Sequence, residues 1–227
     1  MLSQLNKQIK IKNIVRNRVH RGLILKKFYY MRTLPLLFCF LFTLNVLAQI
    51  PVKAEDISPL LIGETIPNVA LKNAEGETVV LQNVIKKKPT VLMVYRGGWC
   101  PYCNRHLSAL GELESEIIAL GYQVVAISPD HYEMLKPTYE SEDVKYILLS
   151  DAKAEFIKAM GIGFKTPERA KGYIFKKTEK EASEVLPVPT VMILDTKGQI
   201  LYEYINPDYS VRLSNEVLLA NLKALKS

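Results

Sequence analysis

Cysteine, histidine and tryptophan are scarce. In 227 residues there are three cysteines, three histidines and one tryptophan. Three cysteines cannot build the dense disulfide framework of a small secreted scaffold. One C-x-x-C pair, with no second pair, falls short of the four ligands that a structural zinc ion takes, so no metal is expected. No internal repeat and no Gly-rich phosphate-binding loop appear, and no cofactor is implied. Acidic residues are missing altogether from residues 1–48, which carry nine Lys or Arg. That gap changes the meaning of the net charge of +7. Taking those nine from 30 basic residues leaves 21 against 23 acidic ones, a balance of −2. A basic, nucleic-acid-binding protein is excluded by that subtraction. What is present, 48% hydrophobic and 23% charged residues, suits a folded globular chain.

The basic block runs into Leu34 to Ala48, LPLLFCFLFTLNVLA. A positive flank, an apolar stretch and small residues at its end predict a secretory signal peptide. Val46 and Ala48 fit a cut before Gln49, and a second cut site follows Ala54. Met31 opens a conventional signal within the longer basic segment. Two other readings remain open. Residues 34–50 can stay as a membrane anchor, since ~18 apolar residues nearly span a bilayer, or the stretch is a buried core helix. In both export readings the basic flank stays cytoplasmic and the rest crosses, giving a periplasmic or other extracytoplasmic protein. Cys39 follows the large Leu37 and Phe38, so lipidation is not expected. Cys100 and Cys103 remain after export. The loop they close is too short to constrain much chain, which points to redox chemistry.

Residues 49–68, with three prolines and a glycine, read as a linker, and 69–227 as the domain. Predicted strands cover 78–81, 90–95, 123–127, 146–149, 190–194 and 199–204. The run TVLMVY at 90–95 suits a buried central strand. Predicted helices cover 101–120, a short stretch capped by Asp130 and limited by Pro137, Asp151 to Met160, and a C-terminal helix from Ser214. Alternation of strands and helices predicts an α/β fold with a mixed, mostly parallel sheet covered on both faces. The Lys- and Glu-rich segment 162–187 interrupts that order. It reads as a solvated excursion, or else as a lid or partner-docking element.

Tyr95-Arg96-Gly97-Gly98-Trp99-Cys100-Pro101-Tyr102-Cys103 joins the central strand to a helix. Cys100 then sits at a helix N-terminus, where unpaired N–H groups favour an anion, and Pro101 suits the first helical position. A cysteine so placed ionises readily, and only the thiolate attacks. Arg96 is placed to push the same way. Cys103, nearly one turn on, can resolve a mixed disulfide at Cys100. Trp99 either flanks the thiol or packs in the rim. His106 reads as an exposed helical histidine.

The strand–WCPYC–helix unit resembles the thioredoxin superfamily, with Pro101-Tyr102 similar to the glutaredoxin dipeptide. The wider pattern resembles the peroxiredoxin-like alkyl hydroperoxide reductase/thiol-specific antioxidant (redoxin) branch. It is carried by YRGGWCPYCNRHL, AISPDHYEMLK, LLSDAKAEFIKAMGI, LPVPTVMILDTKGQI and INPDYSVRLSNEVL, over about residues 60–225. The resemblance implies a thioredoxin-like three-layer α/β/α fold, Cys100 as nucleophile and Cys103 as resolving cysteine. It also implies that Pro189, after Val188, is a cis-proline facing the cysteines, with the Val188 backbone open to a substrate strand. Three departures stand out. Met93 and Gly97 occupy positions where peroxiredoxins place Pro and Thr or Ser. Ala152-Lys153-Ala154 lacks the peroxiredoxin arginine. Val94 stands where thioredoxins bury a carboxylate.

The expected function is that of an exported thiol–disulfide oxidoreductase. Its substrates would be protein or small-molecule disulfides, and a redox partner protein would complete the cycle. The alternatives are a thiol peroxidase acting on hydroperoxides and a non-enzymatic thioredoxin-like binding module.

Overall fold

A computed structural model describes residues 49–142 and 145–226. The chain divides into Met1–Gln49 and Ile50–Ser227, and the second unit carries the fold. The signal peptide or anchor expected at 34–50 therefore falls almost wholly outside the described residues. No helix among the described residues is long and apolar enough to cross a membrane.

Nine strands form among the described residues: β1 Ala70–Lys72, β2 Thr78–Val80, β3 Thr90–Val94, β4 Gln123–Ser128, β5 Ile147–Ser150, β6 Gly163–Lys165, β7 Val185–Pro187, β8 Thr190–Leu194 and β9 Ile200–Ile205. The helices are α1 Leu81–Ile85, α2 Pro101–Glu112, α3 Glu114–Ala119, α4 Leu135–Ser141, α5 Glu155–Ala159, α6 Glu168–Thr178 and α7 Asn215–Leu225. Seven strands make one sheet, ordered β2-β1-β5-β4-β3-β8-β9. Parallel pairing is confined to β3, β4 and β5. The flanking pairs are antiparallel. The sheet is mixed, as expected, but its parallel part is only the central three strands.

The central strands are apolar apart from polar end residues because both faces are covered. Val91, Met93, Val124, Ala126, Val191 and Ile193 point into one core, where Leu107, Leu110, Ile117, Leu218 and Leu222 of the helices meet them. The intervening Leu92, Val94, Val125, Ile127, Met192 and Leu194 point into the other, against α1 and α5 through Leu81, Ile85, Phe156 and Ile157. The period of two along each strand thus divides one sheet between two cores and gives the three layers.

Several boundaries differ from the sequence reading. Residues 50–68 are not a linker. Ile66 is buried, Ile50 and Leu60 pack on the second core, and the backbone is tied down by Ser58 N–H to Gly161 O at 3.1 Å and Lys165 N–H to Pro51 O at 2.8 Å. Val52, Leu61 and Ile62 stay exposed, while Ile50, Leu60 and Ile66 close a domain edge. The helix expected over 101–120 breaks at Leu113, whose N–H turns to the Leu110 carbonyl three residues back. Pro137 does not limit its helix. It occupies the first turn of α4, where a missing N–H costs nothing.

Segment 162–187 is built rather than merely solvated. Strands β6 and β7 pair in a small second sheet, and α6 runs between them with Ile174 buried. The helix expected from Asp151 to Met160 is shorter, α5 starting after Ala154, but the Asp151 carboxylate still accepts the N–H groups of Glu155 at 2.8 Å and Ile157 at 2.9 Å in its first turn. Ser214 caps α7 by accepting the Val217 N–H.

Candidate active site

β3 ends at Val94, and Tyr95 continues it with its N–H on the Ile127 carbonyl at 2.9 Å. The chain then turns through Gly97 and Gly98 into α2. Both glycines are required by close packing. Gly97 has φ of +141°, and a Cβ there would run into the Trp99 indole and the Asp130 carboxylate. A Cβ on Gly98 would run into the Thr138 hydroxyl. Asp130 holds this turn from β4's end, accepting the Gly98 N–H at 2.7 Å and the Trp99 indole N–H. It was expected as a helix cap; instead its carboxylate anchors the loop that carries the cysteines.

Cys100 is the N-cap of α2 and Pro101 follows at the first helical position, as the sequence implies. The Cys100 carbonyl accepts the N–H groups of Cys103 at 2.9 Å and Asn104 at 3.0 Å. The two sulfurs are free thiols packed in the first core. Their acidities move apart. Hydrogen bonding from the Cys103 thiol, helped by backbone N–H groups and Arg96, lowers the Cys100 pKa to about 6 despite burial. Burial and the same shared hydrogen bond push Cys103 up. The pair therefore rests as a Cys100 thiolate accepting a hydrogen bond from the Cys103 thiol.

Each sulfur faces an arginine. Arg96 Nη1 lies 4.0 Å from Cys100 Sγ, and Arg212 Nη2 lies 3.6 Å from Cys103 Sγ. Arg96 meets two rings, its guanidinium carbon 5.1 Å from the Trp99 centroid and 4.1 Å from the Tyr209 centroid. Tyr102 meets Tyr209 edge-on at 5.6 Å, and Tyr173 of α6 meets Trp99 edge-on at 6.2 Å. The segment 162–187 thus reaches the active site through Tyr173. Asp130 is buried, and burial raises its pKa to about 6 against the hydrogen bonds that it accepts. His106 is not the exposed histidine expected. Its Nδ1 is buried without a partner, and burial together with Arg212 lowers its pKa to about 4.

The expected cis-proline is corrected. All peptide bonds among the described residues are trans, Val188–Pro189 included. The backbone there is already committed inside the fold. The Val188 N–H donates to the Ile162 carbonyl at 2.9 Å, and the Val188 carbonyl accepts the Thr190 hydroxyl at 2.9 Å. The extended trans geometry, favoured by about 0.5–1 kcal/mol at X–Pro bonds, satisfies both partners. Val188 is buried and not open to a substrate strand. Pro189 instead lines a hollow with Arg96 and Tyr209.

Residues 62–203 match the AhpC/TSA family. The chain belongs to that family. Among its curated relatives, peroxiredoxin bcp1 of Schizosaccharomyces pombe is 28% identical over 117 residues, 51% of this chain and 60% of that protein. The chain thus spans under two thirds of that relative's length. The thiol–disulfide oxidoreductase ResA of Bacillus thuringiensis subsp. konkukian is 23% identical over 143 residues, 63% of this chain and 68% of that one. Among solved structures, reduced Prx3 from Vibrio vulnificus in complex with hydrogen peroxide shares the fold. It aligns with a TM-score of 0.62 at 22% identity, covering 72% of this chain and 96% of that one. This AhpC/TSA chain thus shares its α/β fold with that solved structure.

Sequence reasoning missed Asp130, Arg212, Tyr173 and Tyr209 as site residues. Arg212 lies 109 residues from Cys103, so no local spacing could join them. The SPD run ending in Asp130 was visible, but its proximity to the Gly97-Gly98 turn depends on β3 and β4 lying side by side.

Proposed function

We propose that this AhpC/TSA chain is an extracytoplasmic dithiol oxidoreductase that reduces disulfides. The observation that carries the reading is the asymmetry of Cys100 and Cys103: a thiolate held by a thiol, each sulfur beside its own arginine. The Cys100 thiolate attacks one sulfur of a substrate disulfide, breaks that bond and releases one thiolate. Cys103 passes its proton to the departing group and attacks Cys100, closing the Cys100–Cys103 disulfide and releasing the second fragment as a thiolate, which takes a proton from water. The protein loses two electrons and the substrate gains two. A redox partner protein restores the dithiol. Export is supported by the basic and apolar pattern of residues 1–48, with either cleavage or retention as an anchor.

Hydroperoxide reduction is the second reading, favoured by the peroxiredoxin relative and by Arg96 against Cys100. There the thiolate attacks one peroxide oxygen, the O–O bond breaks and the other oxygen leaves and is protonated to an alcohol or water; Cys103 then condenses with the Cys100 sulfenic acid, forming the disulfide and releasing water. Stopped-flow oxidation of the reduced protein separates the two. Disulfide reduction well above the rate of free cysteine, with hydrogen peroxide no faster than free cysteine, supports the first reading. The reverse pattern replaces it with the second. Equal function in Cys100→Ser would leave only a binding module.

A further inference from the structure

A hollow of about 440 Å³ opens on Cys100. Its walls are Trp99, Tyr102, Tyr173 and Tyr209, and its charged residues are Arg96 and Arg169, with no carboxylate. The neighbouring hollows differ. One carries Glu112 and Glu142, and the other carries Glu55 and Asp208. Acid is thus present in both neighbouring hollows and missing where the nucleophile opens. The salt bridges among the described residues engage Lys171, Lys180 and His131, leaving both arginines without an acidic partner. Arg169 is exposed at the mouth on α6, while Arg96 lies deeper, with its Nε buried and unpartnered.

Size and access favour a small molecule. The volume falls within the ~300–1,000 Å³ of small-ligand sites. Cys100 is only 2% exposed and lies under Arg96 and its flanking rings, which hinders a disulfide fixed on a folded protein surface. Building on the dithiol reading above, we propose that the substrate is a small organic disulfide carrying a carboxylate. The carboxylate meets Arg96 and Arg169, and the carbon body lies on the tyrosine and tryptophan faces. This arrangement also resolves a charge problem. A free thiolate is repelled by an anionic disulfide, and the two cations remove that repulsion at the moment of attack.

The test uses the reduced full chain and three disulfides of similar size. These are 3,3′-dithiodipropionate (anionic), bis(2-hydroxyethyl) disulfide (neutral) and cystamine (cationic). Single-turnover oxidation is followed by the fluorescence of Trp99, the only tryptophan. Each rate is divided by that of 1-thioglycerol, a neutral thiol, with the same disulfide. The expected order is anionic, neutral, cationic. The anionic compound should lead the neutral one by about tenfold or more, as one charge-assisted contact provides. Arg169→Gln, and 0.5 M salt, should each shrink that ratio several-fold. Rapid reaction with no charge order, or an order that Arg169→Gln leaves intact, overturns the proposal alone. Rates no better than the free thiol for all three overturn the dithiol reading and the proposal together.

Discussion

Replacing Cys103 by Ala should make Cys100 a weaker acid. The largest influence holding the Cys100 pKa at about 6 is the hydrogen bond from the Cys103 thiol. A hydrogen bond to a charged group contributes about 1.5–3 kcal/mol. At about 1.36 kcal/mol for each tenfold change in acidity, its loss moves Cys100 from about 6 to roughly 7–8. The thiolate fraction at pH 7 then falls from about 90% to roughly 10–50%. Cys103→Ser keeps an O–H donor and should lie between Ala and wild type. The assay is the rate of iodoacetamide labelling against pH, with the Cys100 peptide identified by mass spectrometry so that Cys39 does not contribute. A Cys103→Ala midpoint still near about 6 would refute the hydrogen-bond account and leave Arg96 and the helix terminus as the cause.

Arg212→Met should leave the first attack at Cys100 nearly unchanged and slow the second. Arg212 favours the Cys103 thiolate, so the mixed disulfide at Cys100 should persist several-fold longer in quenched-flow mass spectrometry. Gly98→Ala should destabilise the protein by about 1–3 kcal/mol in urea unfolding, as overpacking does. Combining it with Thr138→Ala should recover most of that loss, because the Thr138 hydroxyl is the atom that a Cβ would meet. His106 has a folded pKa of about 4, below its ordinary value, so the unfolded chain binds the extra proton. Its contribution to stability therefore rises as pH climbs from about 4 to about 6.5. Asp130 and Asp151, both lifted to about 6, act oppositely over a similar window because the folded state keeps their protons. Removing the histidine with His106→Gln should make stability fall more steeply with pH across that range. An unchanged slope would refute the assignment.

The local chemistry was readable because it depends on local geometry. A buried strand, two glycines, a cysteine before proline and a second cysteine one turn on are all set by neighbours in sequence. Cys100 and Pro101 stand where that reading placed them. What escaped was long-range. Arg212 arrives from the loop before α7, Tyr173 from α6 and Asp130 from the end of β4. Each meets the cysteine loop only after the sheet has assembled. Apolar alternation located the central strands but not their order or direction, so the parallel share of the sheet was overestimated. Pro51, Pro59 and Pro67 suggested a linker, although Ile66 beside them belongs to the core and Ile50 and Leu60 pack against it. Pro189 was assigned by resemblance alone, and the hydrogen bonds around Val188 account for its trans geometry.

The central claim is that Cys100 attacks and Cys103 resolves. Cys103→Ser should arrest the reaction after the first step. Incubated with a disulfide substrate, it should accumulate one mixed disulfide per chain at Cys100, identified by mass spectrometry and released by reductant. Cys100→Ser should form none under the same conditions. A stable adduct on Cys103 in Cys100→Ser, with none on Cys100 in Cys103→Ser, would contradict the assignment.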